Sequence, residues 1–309
     1  MNAPEYKEPI EKDFETPDGK IHFLDWGGAG PGAHLLHANG FCAGTYSPFV
    51  KHLVNDLHVV ASDLRGHGDS AQPNLKRVSN WHIFADDLKL LVEQTMAPPI
   101  IGVGHSLGAV TTYIAAAKYP QLFSAIILID PSILPRRTLL WFAALRMVGL
   151  AGNRQLAQSA RRRRKSFQGK SEALKRFTSG RGIFSSWSKE FVEAYLECGL
   201  LEKDSETAVL KCDPELEAQI FESVPHDVWR YAKRITCPVL AIRGEHSEVF
   251  TAESAERLQQ ILPDCELVTI PEAGHFVPMG KPEHCAREIT DFISRKLAIT
   301  DYASSKTVL

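Results

Sequence analysis

A serine flanked by two glycines stands between a strand-like segment and a helix-like segment. Residues 104–108 read Gly-His-Ser-Leu-Gly; a short apolar segment precedes them, and residues 109–118 form a run of helix length that stops before Pro120. Glycines two positions before and after Ser106 permit a turn so tight that a larger side chain would clash with neighbouring backbone. This pattern predicts a nucleophilic serine pushed out from the edge of a sheet. The alternative is a glycine-rich turn in which the serine only caps a helix.

A serine hydroxyl is a weak nucleophile near neutral pH, so it needs a base to take its proton and an acid to orient that base. We predict that His275 is the base. Among the 12 histidines, it alone combines a late position, a preceding glycine and a strand-like segment just upstream. Imidazole is the side chain whose proton affinity suits this role near neutral pH. The alternative is a loop histidine without a role.

The elements that must position these residues recur as a short apolar strand, a loop with Gly or Asp, and a helix. Near-continuous apolar strands separated by helices predict a parallel sheet that is covered on both faces. Strands are predicted at 33–37, 58–63, 99–103, 125–130, 239–243 and 266–270, and helices at 46–54, 80–93, 109–118, 252–262 and 282–297.

The strand pattern stops between Asp130 and Cys237. Residues 131–234 contain amphipathic helical segments broken by Gly and Pro, which predicts a helical cap inserted into a core formed by residues 1–130 and 235–309. Aromatic residues of this segment either line an apolar acyl pocket or form the core of the cap itself. They are Trp141, Phe142, Phe184, Trp187, Phe191, Tyr195 and Trp229.

The charge of the predicted cap is unevenly distributed. From 131 to 190 there are 14 Arg and Lys against 2 Glu, and from 191 to 230 there are 10 Asp and Glu against 3 Arg and Lys. The run Arg161–Lys165 is the extreme point. We favour a solvated helix face whose basic residues are partly paired with the acidic half. An anion-attracting entrance, or a patch for an acidic partner or a membrane surface, is the alternative.

The overall composition is that of a globular protein, with 44% hydrophobic and 23% charged residues. The formal net charge of -2 argues against a general nucleic-acid partner. The 6 cysteines have no C-x-x-C spacing, so we expect reduced thiols with neither a zinc site nor a disulfide framework. The N-terminus lacks the pattern of a signal peptide, and no apolar run approaches the roughly 18–20 residues of a membrane span. We therefore expect a cytoplasmic protein without a membrane span; the oligomeric state stays open.

Four motifs together resemble those of the α/β-hydrolase superfamily, and the resemblance extends over about residues 20–297. They are His-Ala-Asn-Gly at 37–40, Asp-Leu-Arg-Gly-His-Gly-Asp-Ser at 63–70, the pentapeptide at 104–108, and Gly-His at 274–275. The resemblance implies an α/β fold with a mostly parallel, eight-stranded sheet, helices on both faces and the inserted cap. It also implies that the nucleophile, the acid and the histidine follow in that order along the chain.

The acid is where this chain departs from the common pattern of the family. The loop after the strand at 239–243 usually carries an aspartate in a Gly-x-x-Asp arrangement, but Ser247 stands at that position. Some relatives carry the acid one residue later, which assigns the role to Glu248. Asp130, after the strand at 125–130, is the main rival, because other relatives place the acid there; Glu245 is a weaker candidate.

Acyl transfer also needs donors for the developing oxyanion. The resemblance implies the backbone N–H of Leu107 and one from the loop after the strand at 33–37, which is that of Asn39 or, since the loop is extended, of Phe41. His37 is expected to brace this loop. A second group is expected to form a structural hydrogen-bonded set beside the sheet: Asp63, Arg65, His67, Asp69 and His105.

The resemblance implies a serine esterase that needs no cofactor and no metal. Its substrate would be a small, apolar ester, thioester or lactone. Haloalkane dehalogenases and epoxide hydrolases of this fold carry an aspartate at the turn, so Ser106 argues against both. The same machinery also serves C–C hydrolysis, perhydrolysis and lyase chemistry. A ligand-binding or signalling protein with a vestigial site is the alternative from another class.

Overall fold

The computed structural model describes residues 7–72, 78–149, 154–179 and 182–306. Its strands are β1 (Ile10–Thr16), β2 (Gly19–Gly27), β3 (Gly32–Leu36), β4 (His58–Ser62), β5 (Ile100–His105), β6 (Phe123–Ile129), β7 (Ser166–Phe167), β8 (Leu200–Glu202), β9 (Ala208–Leu210), β10 (Val239–Gly244) and β11 (Cys265–Ile270). Its helices are α1 (Ser47–Val50), α2 (His82–Thr95), α3 (Leu107–Lys118), α4 (Arg136–Met147), α5 (Arg154–Arg161), α6 (Gly169–Phe177), α7 (Lys189–Gly199), α8 (Pro214–Glu222), α9 (Ala252–Ile261), α10 (Val277–Gly280) and α11 (Pro282–Lys306).

Eight strands form one sheet in the order β1-β2-β4-β3-β5-β6-β10-β11. β1 and β2 pair antiparallel, β2 also pairs antiparallel with β4, and all pairs from β4 to β11 are parallel. The carboxyl ends of the parallel strands therefore meet at one edge of the sheet, which is where ligands bind in open α/β sheets. This confirms the prediction of a mostly parallel, eight-stranded sheet.

Side chains that alternate along the central strands enter two separate cores. Val103 of β5 and Ile127 of β6 pack with α1 and α11 on one face of the sheet. Ile126 and Leu128 of β6 pack with α2, α3 and α9 on the other face. Both faces are thus covered, which is why apolar residues in these strands are not restricted to every second position. No helix within the described ranges combines the length and apolarity needed to cross a bilayer.

The described residues between β6 and β10 form an insertion. The sequence pattern predicts only helices there, but the insertion is not purely helical. Besides α4 to α8, the insertion contains a small antiparallel sheet in the order β7-β9-β8. Its strands have only two or three residues. Segments this short carry no readable alternation of polar and apolar residues. β7 and β8 both lie next to α6, and β8 directly follows α7 along the chain.

The basic run is held by acidic residues of the insertion itself. Arg161 pairs with both Glu215 and Glu222. The next pairs along the run are Arg163 with Glu217, Arg164 with Glu172, and Lys165 with Asp213. These pairs confirm the favoured prediction, in which the basic half of the insertion is partly paired with the acidic half.

A disulfide joins Cys42 to Cys198, contrary to the expectation of reduced thiols. The two cysteines are 156 positions apart, one at the end of the loop that follows β3 and the other in α7. The expectation was wrong because motif spacing detects only local cysteine pairs, whereas this pair is formed by the packing of α7 against that loop. Reduced thiols can therefore no longer be used as an argument that the protein resides in a reducing compartment.

His34 is a buried histidine of β3 with no hydrogen-bond partner for either ring nitrogen in the described part of the chain. It is 1% exposed, and burial lowers the pKa of its imidazole to about 3. Between this pKa and the ordinary value of 6.5, the unfolded chain binds a proton that the folded chain does not bind. The contribution of His34 to stability is therefore present above the unfolded pKa and is lost as the pH falls below it.

We expect the His34→Leu variant to lose this pH dependence. As the pH falls from about 6 to 4, the free energy of unfolding of the variant should decrease less steeply than that of the wild type. The two slopes should differ by up to roughly 1.4 kcal/mol per pH unit, because the variant binds one fewer proton on unfolding. Urea unfolding at several pH values measures the slope. His52, which is exposed, provides the control variant His52→Gln, whose slope should match that of the wild type. Equal slopes for all three proteins would contradict the prediction.

Candidate active site

Ser106 lies at the sharp turn between β5 and α3, with φ 56° and ψ -112°. This backbone conformation is strained for a residue other than glycine. The neighbouring glycines are needed for it: a Cβ at Gly104 would lie 2.4 Å from the carbonyl oxygen of Gly108, and a Cβ at Gly108 would lie 2.2 Å from that of Leu36. The turn therefore presents the serine hydroxyl at the carboxyl edge of the sheet, as predicted.

His275 reaches this hydroxyl from the loop that follows β11. Its Nε2 lies 2.9 Å from Ser106 Oγ, and its Nδ1 lies 2.7 Å from Asp130 Oδ1. An ionised carboxylate only accepts hydrogen bonds, so Nδ1 carries the ring proton and Nε2 presents a lone pair to the serine. The three side chains thus form a continuous line in which a proton can pass from Ser106 to His275.

The acid in this line is Asp130, the rival candidate, and not Glu248. Asp130 follows β6 with φ 41°, and its carboxylate is completely buried. Besides facing His275, it accepts the N–H of Gly244 at 2.9 Å and the hydroxyl of Ser247 at 2.6 Å. β6 is the direct neighbour of β10 in the sheet, which brings the ends of both strands together. Ser247, at the position where the acid is commonly found, therefore orients the acid instead.

Glu248 and Glu245 are both exposed in the loop after β10. Glu245 Oε2 accepts the backbone N–H of Glu272 at 2.9 Å, so it ties two loops together. The assignment of the acid to Glu248 was wrong because a position in a loop does not reveal which way its side chain points.

One candidate oxyanion donor, the N–H of Leu107, directly follows Ser106, and the other comes from the loop that follows β3. The N–H of Phe41 closes a turn onto the carbonyl of Ala38 at 3.2 Å. Within the described residues, the N–H groups of Leu107 and Asn39 have no hydrogen-bond acceptor. These two donors are therefore free to bind an oxygen of a substrate, whereas that of Phe41 is engaged.

Buried histidines brace this loop, as expected for His37. The Nε2 atom of His37 accepts the N–H of Leu64 at 2.8 Å, so its Nδ1 carries the proton and donates to the carbonyl of Ala38 at 2.8 Å. Burial lowers the pKa of His37, which keeps the ring neutral near pH 7. The ring thus acts as a fixed spacer between two loops.

A chain of hydrogen bonds connects the oxyanion side to the loop of the base. The hydroxyl of Tyr46 accepts the N–H of Ala38 at 3.0 Å and contacts His105 Nδ1 at 2.6 Å; His105 Nε2 contacts the carbonyl of His275 at 3.0 Å. Because a carbonyl only accepts, His105 donates through Nε2 and receives the proton of Tyr46 at Nδ1. Burial lowers the pKa of His105 well below its usual value, consistent with this neutral form.

Asp63 stabilises the other end of the same loop. Its carboxylate accepts the N–H of Ala43 at 2.7 Å and contacts His22 Nδ1 at 2.9 Å. Burial acts to raise the pKa of Asp63, but these hydrogen bonds outweigh burial and hold it below the usual value. The nitrogen and oxygen atoms with which His22, Asp63 and Asp69 could ligate a metal lie within 4.8 Å of one another. These atoms are already engaged, because His22 contacts Asp63 and Asp69 pairs with Lys211. The group therefore has a structural role, as expected for Asp63 and Asp69.

A partly buried ion pair attaches the insertion to the loop that follows β3. Arg163 pairs with Glu217 and donates to the hydroxyl of Tyr195, and the side chain of Asn39 donates to the backbone carbonyl of Glu217 at 3.0 Å. A Cβ added to Gly40 would lie 2.9 Å from the guanidinium of Arg163. Together with the disulfide at Cys42, these contacts hold the insertion directly against the loop.

Aromatic rings of the insertion pack beside the base. The ring of Trp187 lies 5.3 Å from that of Phe41 and 5.7 Å from that of Phe276, whose ring lies 5.0 Å from that of His275. Trp187 also lines a cavity of about 440 Å³ between α6 and α7. Two lysines, Lys175 and Lys189, line the same cavity. Trp187 thus takes part both in that cavity and in the aromatic contacts next to the base.

The other aromatic residues named from the sequence divide between two environments. Phe184, Phe191 and Tyr195 are buried in one cluster with Trp187, whereas Trp141 of α4 is 62% exposed. The aromatic residues are therefore largely core of the insertion, with Trp187 closest to the base.

Sequence reasoning missed one hydroxyl at the site. Ser132 Oγ lies 3.1 Å from Ser106 Oγ, and the backbone N–H of Ser132 points to the carbonyl of Ser106 at 3.4 Å. Nothing in the sequence distinguishes this serine, except that it lies two positions after Asp130 at the carboxyl end of a predicted strand.

A family model described as the alpha/beta hydrolase fold matches residues 33–282 of the chain. The match includes the turn at Ser106, the loop after β3 and His275. The chain belongs to the α/β-hydrolase family. It is accordingly a hydrolase, and a small molecule is the substrate that this class implies.

Two members of the family with named activities are similar over most of this chain. The 2-(acetamidomethylene)succinate hydrolase of Mesorhizobium japonicum is 28% identical over 266 residues, which are 86% of this chain and 89% of the relative. The human monoacylglycerol lipase ABHD6 is 24% identical over 282 residues, or 85% and 75% of the two chains. A crystal structure of E-2-(acetamidomethylene)succinate hydrolase matches with a TM-score of 0.74 and 25% identity, covering 93% of this chain and 99% of that one.

The glycines of the turn offer a direct test of this geometry. We expect Gly108→Ala to lower the free energy of unfolding by about 2 kcal/mol or more, because the added methyl group meets the carbonyl of Leu36 and must displace backbone. Gly280→Ala is the matched control, since its Cβ would meet nothing within 4 Å. Chemical denaturation measures both variants. Equal stability of the two variants would contradict the close approach of Gly108 to the backbone of Leu36.

Proposed function

We propose that this protein is a serine hydrolase that cleaves a carboxylic acid derivative through an acyl-enzyme on Ser106. The observation that carries the proposal is the continuous line of Asp130, His275 and Ser106, with contacts of 2.7 and 2.9 Å. Such distances suit transfer of the serine proton to the base as the nucleophile attacks.

In the proposed reaction, Ser106 Oγ attacks the carbonyl carbon while its proton moves to His275 Nε2. Asp130 stabilises the imidazolium that forms and keeps the ring in the productive tautomer. His275 then donates the proton to the leaving group as the bond to the carbonyl carbon breaks. Water, deprotonated by His275, releases the acid and restores the serine.

The oxyanion of this reaction would be bound by backbone donors. We assign Leu107 as one donor and Asn39 as the other, because both N–H groups are free within the described residues while that of Phe41 is engaged. One such donor is typically worth about 3–4 kcal/mol of transition-state stabilisation. The partly buried ion pair of Arg163 and Glu217 supports the loop that carries Asn39.

The leading substrate class is a small ester, thioester or lactone with an apolar acyl part. The aromatic rings of Phe41, Trp187 and Phe276 next to the base favour an apolar group there. We further propose that the insertion between β6 and β10 acts as a cap, since its ion pair and its disulfide hold it over the oxyanion loop.

An amide is the second candidate substrate. The 2-(acetamidomethylene)succinate hydrolase, to which this chain is similar over 86% of its length, is named for a substrate with an acetamido group. The same line of serine, histidine and aspartate can cleave an amide, provided that the leaving nitrogen receives a proton.

The nucleophile can be tested with a fluorophosphonate probe. We expect covalent labelling of the wild type at Ser106, identified by mass spectrometry of the digested protein, and loss of labelling in Ser106→Ala. Hydrolysis of p-nitrophenyl acetate should fall by at least about 10³-fold in the same variant. Unchanged turnover in Ser106→Ala, or labelling at another residue, would refute the proposal.

The acid can be tested with a pair of isosteric variants. We expect Asp130→Asn to lower kcat by about 10⁴-fold, because an amide can donate to His275 and thereby stabilise the wrong tautomer. Glu248→Gln, exposed and one residue beyond Ser247, should stay within about threefold of the wild type. Steady-state kinetics on p-nitrophenyl acetate measures both. A loss in Glu248→Gln as large as that in Asp130→Asn would return the role to Glu248.

A further inference from the structure

Ser132 contacts the nucleophile without belonging to the line of proton transfer. Its hydroxyl lies 3.1 Å from Ser106 Oγ, and the proton of Ser106 is already directed to His275 Nε2 at 2.9 Å. Each hydroxyl has one proton to donate. Ser132 must therefore be the donor to Ser106 Oγ, and its own lone pairs stay available to another group.

This hydrogen bond does not activate the nucleophile. A proton donated to Ser106 Oγ withdraws electron density from the oxygen that has to attack. Once that oxygen is bonded to a carbonyl carbon, it is a poorer acceptor, and Ser132 is free to turn toward the substrate. The function of Ser132 must therefore be sought in the tetrahedral intermediate.

The order of the strands places Ser132 on the side of the leaving group. β5, which carries Ser106, lies between β3 and β6. The loop with Asn39 follows β3, whereas Ser132 follows β6, and His275 comes from beyond β10. Asn39 and Ser132 therefore flank the nucleophile on opposite sides. The side of Ser132 is that of the base, where a leaving group must lie to receive its proton.

Amides and esters differ in what they require on that side. When a serine attacks an amide, the lone pair of the nitrogen develops facing away from the attacking oxygen, so the nitrogen must reorganise before it can accept the proton of the imidazolium. A hydrogen-bond acceptor for the N–H stabilises that reorganised form. An ester oxygen has a second lone pair and no hydrogen, so it needs no such acceptor.

We propose that Ser132 determines specificity for amides over esters by accepting the N–H of the leaving nitrogen in the tetrahedral intermediate. This inference rests on the proposed acyl-enzyme chemistry at Ser106. The Ser106 Oγ–carbon bond forms and the carbon–nitrogen bond breaks; the serine proton passes to His275 and from there to the amine that leaves. Ser132 gains and loses no proton overall.

A matched pair of acetyl substrates tests the inference on the full-length protein. Hydrolysis of p-nitroacetanilide and of p-nitrophenyl acetate is compared in the wild type, Ser132→Ala and Ser132→Thr. In Ser132→Ala we expect kcat for the anilide to fall by about 10- to 100-fold, the equivalent of one hydrogen bond made only in the transition state. The ester should change by less than about threefold, and Ser132→Thr, which keeps the hydroxyl, should recover most anilide activity.

Three outcomes would overturn the inference: an equal loss on both substrates, no loss on either, or no hydrolysis of the anilide that depends on Ser106. Covalent fluorophosphonate labelling of Ser132→Ala at Ser106, identified by mass spectrometry, checks that the variant keeps an intact nucleophile. Failure of the proposed function would look different, since the ester itself would then be hydrolysed independently of Ser106.

Discussion

The buried carboxylate of Asp130 is the interaction on which the assembly of this site depends. A fully buried carboxylate is costly unless several donors surround it. Here those donors come from three places: the ring of His275 after β11, the N–H of Gly244 at the end of β10, and the hydroxyl of Ser247 in the next loop. Satisfying this one group brings the ends of β6 and β10 and the loop of the base into a single arrangement.

On the other side of the site, a hydrogen-bond network of neutral groups links the loop after β3 to the loop of His275. The Tyr46–His105 pair passes hydrogen bonds from Ala38 to the carbonyl of His275, and His37 joins Ala38 to Leu64. Burial keeps the two histidines uncharged, so the network has no charge to compete with Asp130. The base and the loop of the oxyanion donors are thereby held at a fixed separation, which a reaction through a tetrahedral intermediate requires.

Local patterns selected Ser106 and His275, which the structure brings within 2.9 Å of each other, but they did not select the carboxylate that faces His275. The turn at Ser106 is a local feature, because Gly104 and Gly108 must be small for the chain to turn at all. The acid is a contact between distant segments. Three carboxylates in plausible loops compete for this contact, and the choice depends on which strands are adjacent and on which side chain points inward. Asp130 meets both conditions, and Glu248 points to solvent.

The sequence by itself therefore determined the α/β-hydrolase fold, the strained serine turn and the loop that supplies the histidine, since each follows from periodicity or from residues that are neighbours along the chain. The tertiary structure decided the partner of His275, the Cys42–Cys198 disulfide, the small sheet of the insertion and the contact of Ser132 with Ser106. Each of these joins atoms whose proximity is produced by packing between elements. Spacing along the chain carries no measure of that proximity.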